Sequence, residues 1–306
     1  MSLGFIFPGQ GSQSAGMLTD VAEAYDEVQA RFDEAGEAIS QPLWRIVKEG
    51  PDEDLVRTEI TQPALLTASV ALWSIWQAEG GEIPVCLAGH SLGEYSALVC
   101  AGAIGFADAV RLVHRRGQLM QAAVPRGEGA MAAILGLDDQ QVEAVCREID
   151  GTVSAANYNA PGQVVIAGAA GPVQAAADRC RHLGARRAAL LPVSGPFHCE
   201  LMRPAQEAFA EALEQVAIDE PSIPVIQNVD AAVAADVADL RRKLLAQISQ
   251  PVLWTASIRA MVARGVGRMA ECGAGRVLSG LVKRIDKSVD VTSLGTLDGL
   301  HGALGR

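Results

Sequence analysis

Short runs of continuous apolar residues alternate along this chain with longer stretches of helical spacing. Leu3-Gly4-Phe5-Ile6-Phe7 is too short for a helix and apolar throughout, as a strand buried on both faces requires. Ile83-Pro84-Val85-Cys86-Leu87-Ala88, Ile223-Pro224-Val225-Ile226 and Gly267-Arg268-Met269-Ala270-Glu271 predict further strands. Between them, apolar residues at spacings of three and four predict helices over residues 20–37, 63–79 and 106–120, and others from Glu200 and from Val237. Ile60 to Ala78 carries no charge, but its threonines, serines, glutamines and Pro63 are too polar for lipid, so it reads as a buried helix.

Residues 129 to 193 have a different rhythm. Ala130 to Leu135 reads as a strand, and Asp138 N-caps a helix with Val142, Val145, Cys146 and Ile149 on one face. Thr152 to Tyr158 and Gln163 to Ala167 are strands joined by the turn Asn159-Ala160-Pro161-Gly162. A helix from Pro172 to about Gly184 and a strand from Arg187 to Val193 complete the order β-α-β-β-α-β, that of a ferredoxin-like unit. The predicted fold is α/β: a discontinuous large domain, 1–124 and 193–306, built on a parallel sheet, with a small ferredoxin-like domain, 125–192, inserted in it.

Composition narrows the class. A chain of 306 residues with 49% hydrophobic content suits a large α/β domain plus a smaller one, and no repeat or low-complexity tract interrupts it. A net charge of −11 argues against a nucleic-acid partner. Arg186-Arg187 and Lys283-Arg284 are local basic pairs, more simply read as solvated surface charge. The six cysteines show no C-x-x-C and no metal spacing, which predicts reduced, mostly buried thiols in a cytoplasmic protein. Met1-Ser2-Leu3-Gly4 has neither a basic region nor a cleavage site, so no leader and no membrane association are expected.

The chemistry centres on Gly89-His90-Ser91-Leu92-Gly93. G-x-S-x-G between a buried strand and a helix is a nucleophile elbow, which belongs to an α/β-hydrolase-like sheet and holds a strained serine at a helix N-terminus. The plainer alternative is a tight turn with an incidental serine. Among five histidines, His198 in Ser194-Gly195-Pro196-Phe197-His198-Cys199 lies in an irregular segment between a strand and a helix, where functional side chains concentrate, and is the best candidate base. No carboxylate between them stands out as a third member. The loop Pro8-Gly9-Gln10-Gly11-Ser12-Gln13 is glycine-rich but fits neither G-x-G-x-x-G nor a P-loop.

Phe7 to Gln13, Thr61-Gln62-Pro63-Ala64-Leu65, Gly89 to Tyr95, Arg116-Gly117 with Met120-Gln121, Asn159 to Gln163 and Phe197-His198 occur in this order. Together they resemble the malonyl-CoA:acyl carrier protein transacylases of type II fatty acid synthesis, over Phe5 to about Ile285. The resemblance implies that Ser91 is the acylated nucleophile and His198 its base. A backbone carbonyl would orient the imidazole, and Gln250-Pro251-Val252-Leu253-Trp254 assigns it to Gln250. It implies an oxyanion hole from the amides of Gln10 and Leu92, and a grip of Arg116 on the malonyl carboxylate. By position alone Arg111, Arg115 and Arg116 are equivalent. Phe197 would crowd the space of an α-methyl group, which disfavours methylmalonyl-CoA, and Asn159 would face the cleft. As plainer alternatives, Phe197 packs in the core and Asn159 sits in a turn. The implied reaction is ping-pong transfer of malonyl from CoA to the phosphopantetheine thiol of acyl carrier protein, by a monomer, without metal or other cofactor. The rivals are a polyketide or malonate-decarboxylase transferase of the same fold, a serine hydrolase, and a carrier-binding module without catalysis.

Overall fold

The computed structural model describes residues 1–306, the Asp52 side chain excepted. In chain order its strands are β1 (Ser2–Phe7), β2 (Cys86–Gly89), β3 (Gly129–Leu135), β4 (Val153–Ala160), β5 (Gln163–Ala169), β6 (Arg187–Leu190), β7 (Val225–Ile226), β8 (Val266–Glu271) and β9 (Asp290–Ser293). They form two sheets. The larger has the order β7-β2-β1-β8-β9 and every pairing in it is parallel. The smaller, β4-β5-β3-β6, is antiparallel, and with helices Asp139–Glu148 and Ala170–His182 it has ferredoxin-like order.

β1 is apolar on both faces because it separates two cores. Leu3, Phe5 and Phe7 enter the main cluster, and Ile6 enters a second one with Trp254 and Ile258. Phe5 meets Trp73 and Trp76 of helix Thr58–Ala78 edge-on, at centroid distances of 5.1 and 5.3 Å. Beyond Glu59 that helix is buried along nearly its whole length, which accounts for the lack of charge from Ile60 to Ala78. No helix is long and apolar enough to cross a membrane among the described residues.

Some boundaries differ from the sequence reading. Ile83 and Val85 are exposed, so the apolar run before the elbow enters the sheet only at Cys86. The helix expected over 20–37 is broken at Tyr25-Asp26 into Thr19–Ala24 and Glu27–Ile39. The chain beyond Asp286 adds β9 to the sheet edge and packs a last helix, Leu297–Leu304. Asp138 forms a full capping box with Gln141.

The two sheets are joined where β4 meets the segment before helix Trp254–Ala263. The amide of Tyr158 donates to the Val252 carbonyl and that of Val252 to the Ala156 carbonyl, both at 2.9 Å. The cleft between the sheets lies over the C-terminal ends of β1 and β2, where open parallel sheets place their ligands.

Candidate active site

The elbow is built by close backbone approach. A β-carbon on Gly89 would lie 1.9 Å from the Gly93 carbonyl, and one on Gly93 would lie 2.0 Å from the Phe7 carbonyl oxygen. One on Gly9 would lie 2.4 Å from the His90 carbonyl oxygen. Glycine at these three positions therefore lets the loop after β1 lie against the turn after β2, which brings Gln10 beside Ser91 and Leu92 in one cleft. Ser91 itself has φ 53°, a left-handed conformation that costs a side-chain-bearing residue about 1–3 kcal/mol.

His198 also has a left-handed backbone, φ 60°. Its Nε2 is 2.7 Å from Ser91 Oγ, and its Nδ1 is 2.8 Å from a backbone carbonyl. A carbonyl only accepts, so Nδ1 carries the hydrogen and Nε2 is left to take the serine proton. That carbonyl belongs to Gln247, not to Gln250 as the sequence reading had it. The helix Val237–Ala246 ends one residue before Gln247, and its capping turn puts the Gln247 carbonyl on the imidazole; the Gln250 carbonyl makes a lesser contribution. Burial, then the nearby Arg116 charge, lowers the His198 pKa to about 3, so the ring is neutral at neutral pH.

Of the three arginines in helix Phe106–Ala122, Arg111 and Arg115 lie one helical turn apart on the outer face, where Arg111 pairs with Asp108 and Arg115 reaches Gln118. Arg116 faces inward and is 1% exposed. It donates to Gln62 Oε1 at 2.9 Å, to Gln247 Oε1 at 2.8 Å and to Ser91 Oγ at 3.3 Å, with its guanidinium 5.3 Å from the centre of the Tyr95 ring. Its Nε has no partner among the described residues, and the acceptors of its other nitrogens are all uncharged. Neutral amides hold a buried cation here, and this leaves it able to receive an anion.

The amides of Gln10 and Leu92 have no acceptor among the described residues. The Ser91 amide does have one, Asn228 Oδ1 at 2.7 Å. Gln10, Ser91, Leu92, Arg116, Asn159, Phe197 and His198 all line one cavity of about 200 Å³; Gln250 does not. Asn159 lies at the end of β4, and its Oδ1 accepts from His90 Nε2 at 2.8 Å, tying the small sheet to the elbow. Phe197 is buried and its ring touches the main core as well as the cavity. The other histidines are engaged elsewhere: His114 at the Glu59 carbonyl, His182 at the Asp178 carbonyl and His301 at the Tyr25 hydroxyl. No group of three or more His, Cys, Asp or Glu side chains could hold a metal ion among the described residues.

Four residues in and around the site were given no role from sequence: Gln62 and Glu94, which stand within the quoted motifs, and Asn228 and Gln247, which do not. All are buried polar groups within apolar packing, and Gln247 touches Ser91, Arg116 and His198 at once. Their signal in a sequence is a polar residue inside an apolar run, which by itself does not reveal what it faces.

The chain is similar in sequence and fold to known proteins. The family model described as "Acyl transferase domain" matches residues 4–279. The malonyl CoA-acyl carrier protein transacylase of Salmonella typhimurium is 50% identical over 302 residues, covering 98% of each chain. An acyl carrier protein S-malonyltransferase from Vibrio cholerae superposes with a TM-score of 0.96 at 49% identity, covering 99% of both chains. A malonyl-transacylase solved in complex with its type II PKS acyl-carrier protein superposes with a TM-score of 0.98 at 46% identity, covering 100% of this chain and 99% of that one.

Proposed function

Because this chain belongs to the malonyl CoA-acyl carrier protein transacylases of the acyl transferase family, we propose that it carries malonyl from CoA to acyl carrier protein through an ester on Ser91. It is a transferase of fatty acid biosynthesis, and its substrates are malonyl-CoA and the carrier-protein thiol. One observation carries the reading of the site. A buried guanidinium without a carboxylate partner stands 3.3 Å from the oxygen that His198 can deprotonate. In a malonyl thioester the carboxylate carbon is about 2.5 Å from the reacting carbonyl carbon. A short acyl group on Ser91 can therefore turn its terminal carboxylate onto the Arg116 guanidinium.

In the first half-reaction His198 Nε2 takes the Ser91 proton as Oγ bonds to the thioester carbon. The oxyanion is held by the free amides of Gln10 and Leu92. When it collapses the C–S bond breaks, and His198 returns the proton to the departing CoA sulfur. In the second half the carrier's phosphopantetheine thiol gives its proton to His198 and attacks the malonyl ester. The C–O bond to Ser91 breaks and the serine is reprotonated. Arg116, paired with the malonyl carboxylate, holds the ester carbonyl toward the incoming thiol. Phe197 narrows the cavity against an α-methyl group, and Asn159 fixes the rim through His90.

The reading includes a small domain over 125–192 that closes the cleft, a monomer, and chemistry without metal or other cofactor beyond the CoA thioester. Six buried, unpaired cysteines favour a reducing compartment and thus the cytoplasm. The test is intact mass after brief mixing with malonyl-CoA, with Ser91→Ala as control. One malonyl group on the wild type alone, discharged by carrier thiol, is the expected result. CoA release without a lasting adduct would instead mean hydrolysis.

A further inference from the structure

The strained serine is held by a residue that the reaction scheme above does not use. Asn228 follows β7, which runs beside β2, so the end of one strand lies against the turn that ends the other. Its side chain spans that turn. Oδ1 accepts from the Ser91 amide at 2.7 Å, and Nδ2 donates to the Gly89 carbonyl at 2.6 Å. The reversed amide would set donor against donor and acceptor against acceptor, so the orientation is fixed by its partners.

Asn228 is itself immobilised. It is fully buried, its amide donates to Glu94 Oε2 at 2.7 Å, and its carbonyl accepts from the Leu253 amide at 2.9 Å. Glu94, also fully buried, stands three residues beyond the serine at the start of helix Gly93–Cys100. The elbow thus grips Asn228 through Glu94, and Asn228 grips the elbow at Gly89 and Ser91. A left-handed serine persists only where its surroundings over-determine it, and this closed ring of hydrogen bonds supplies that constraint.

We propose that Asn228, held by Glu94, is a positioning residue that sets the attack geometry of Ser91 and withdraws the Ser91 amide from the oxyanion site. With that amide bonded to Oδ1, the amides left to meet a developing oxyanion are those of Gln10 and Leu92, two residues that line the cavity, as Asn228 does not. A turn free to relax would offer the serine amide as a competing donor and would swing Oγ away from His198 Nε2. Misplacement of a nucleophile by about 1 Å costs on the order of 10²-fold in rate.

The inference rests on Ser91 being the acylated residue, and its test separates the two. Single-turnover malonylation is followed by intact mass for wild type, Asn228→Ala and Asn228→Asp, with KM for malonyl-CoA and thermal melting measured in parallel. A wild type that takes up no malonyl group overturns the functional reading and this one with it. With the wild type labelled, both variants should acylate about 10²-fold more slowly, with KM for malonyl-CoA held within about threefold because the Arg116 site is untouched. Asn228→Asp keeps the size of the side chain and the acceptor for the Ser91 amide but loses the donor to Gly89, so it tests the hold on the attack geometry even where Asn228→Ala fails to fold. Acylation within about twofold of wild type in a folded variant, or a loss carried by KM alone, overturns the assignment.

Discussion

Ser91 and His198 both hold left-handed backbones, φ 53° and 60°, and together they bring Oγ and Nε2 to 2.7 Å. Each sits where an ordinary side-chain-bearing residue is strained, and each is fixed from outside: Ser91 by Asn228, His198 by the Gln247 carbonyl. His198→Ala removes the proposed acceptor of the serine proton, and general-base loss typically costs 10²–10⁴-fold. Single-turnover malonylation of that variant should fall by about 10³-fold while malonyl-CoA affinity stays near wild type.

The pH profile follows from burial. His198 acts as a base only when neutral, and its pKa is lowered to about 3 by burial first and the Arg116 charge second. The acidic limb of kcat/KM should therefore lie well below the ordinary histidine pKa of about 6.5. Stopped-flow acylation between pH 4 and 8 checks this, and a limb centred near 6.5 would show that the ring is not desolvated in solution.

Arg116→Ala removes both the proposed partner of the malonyl carboxylate and a cation that depresses His198. A charge-assisted pair of this kind is worth about 2–3 kcal/mol. Malonyl-CoA kcat/KM should drop by about 10²-fold, and the preference over acetyl-CoA should shrink with it. Competition between the two thioesters, read as the mass of the acyl adduct, measures this directly. Unchanged selectivity would mean that the guanidinium does not read the carboxylate.

Gln247→Ala is the sharper test of how the site is held, because it deletes a side chain while leaving the carbonyl on His198. Arg116 loses its 2.8 Å acceptor and the Ser91 carbonyl loses its 3.0 Å donor. Bonds to a charged group contribute about 1.5–3 kcal/mol, so malonyl-CoA kcat/KM should fall by at least about 10-fold without loss of the neutral base. A comparison of kcat/KM for wild type and variant against pH would show a lower plateau with an unmoved acidic limb.

Much of this site was legible because its backbone is local. The glycines of the elbow and of the Gln10 loop are needed where two turns touch, and that requirement is written at fixed positions in the chain. Arg116 could be separated from Arg111 and Arg115 only by a resemblance, since three arginines in six residues of helix look alike until the helix is docked. The carbonyl on His198 was misplaced to Gln250 for a related reason. Any of several carbonyls in a turn could point at the ring, and the end of helix Val237–Ala246 decides which one does. Asn228 and Glu94 depend on which strand lies beside β2, a long-range pairing that local spacing does not encode. The broken helix at Tyr25 and the exposed Ile83 and Val85 likewise reflect packing rather than pattern.

Glu94 makes a prediction about stability rather than rate. Burial pushes its carboxyl up from 4.5 to about 8, while hydrogen bonds from Asn228 and Gln247 and the Arg116 charge work the other way. The folded protein then binds more protons at this position than the unfolded chain between pH 4.5 and about 8. Its contribution to stability is fully present below 4.5 and is lost as pH rises through that window. His198 acts in the opposite sense, since its lowered pKa makes the unfolded chain the better proton acceptor between pH 3 and 6.5, and so removes stability as pH falls. Above pH 6.5 only the Glu94 effect remains of the two. Glu94→Gln keeps an acceptor for the Asn228 amide but does not titrate. Urea unfolding at pH 6.5 and pH 8 should therefore show wild type losing stability across the interval and the variant losing less. Equal losses in the two proteins would show that the Glu94 carboxyl is already ionised at pH 6.5, as a carboxylate compensated by Arg116.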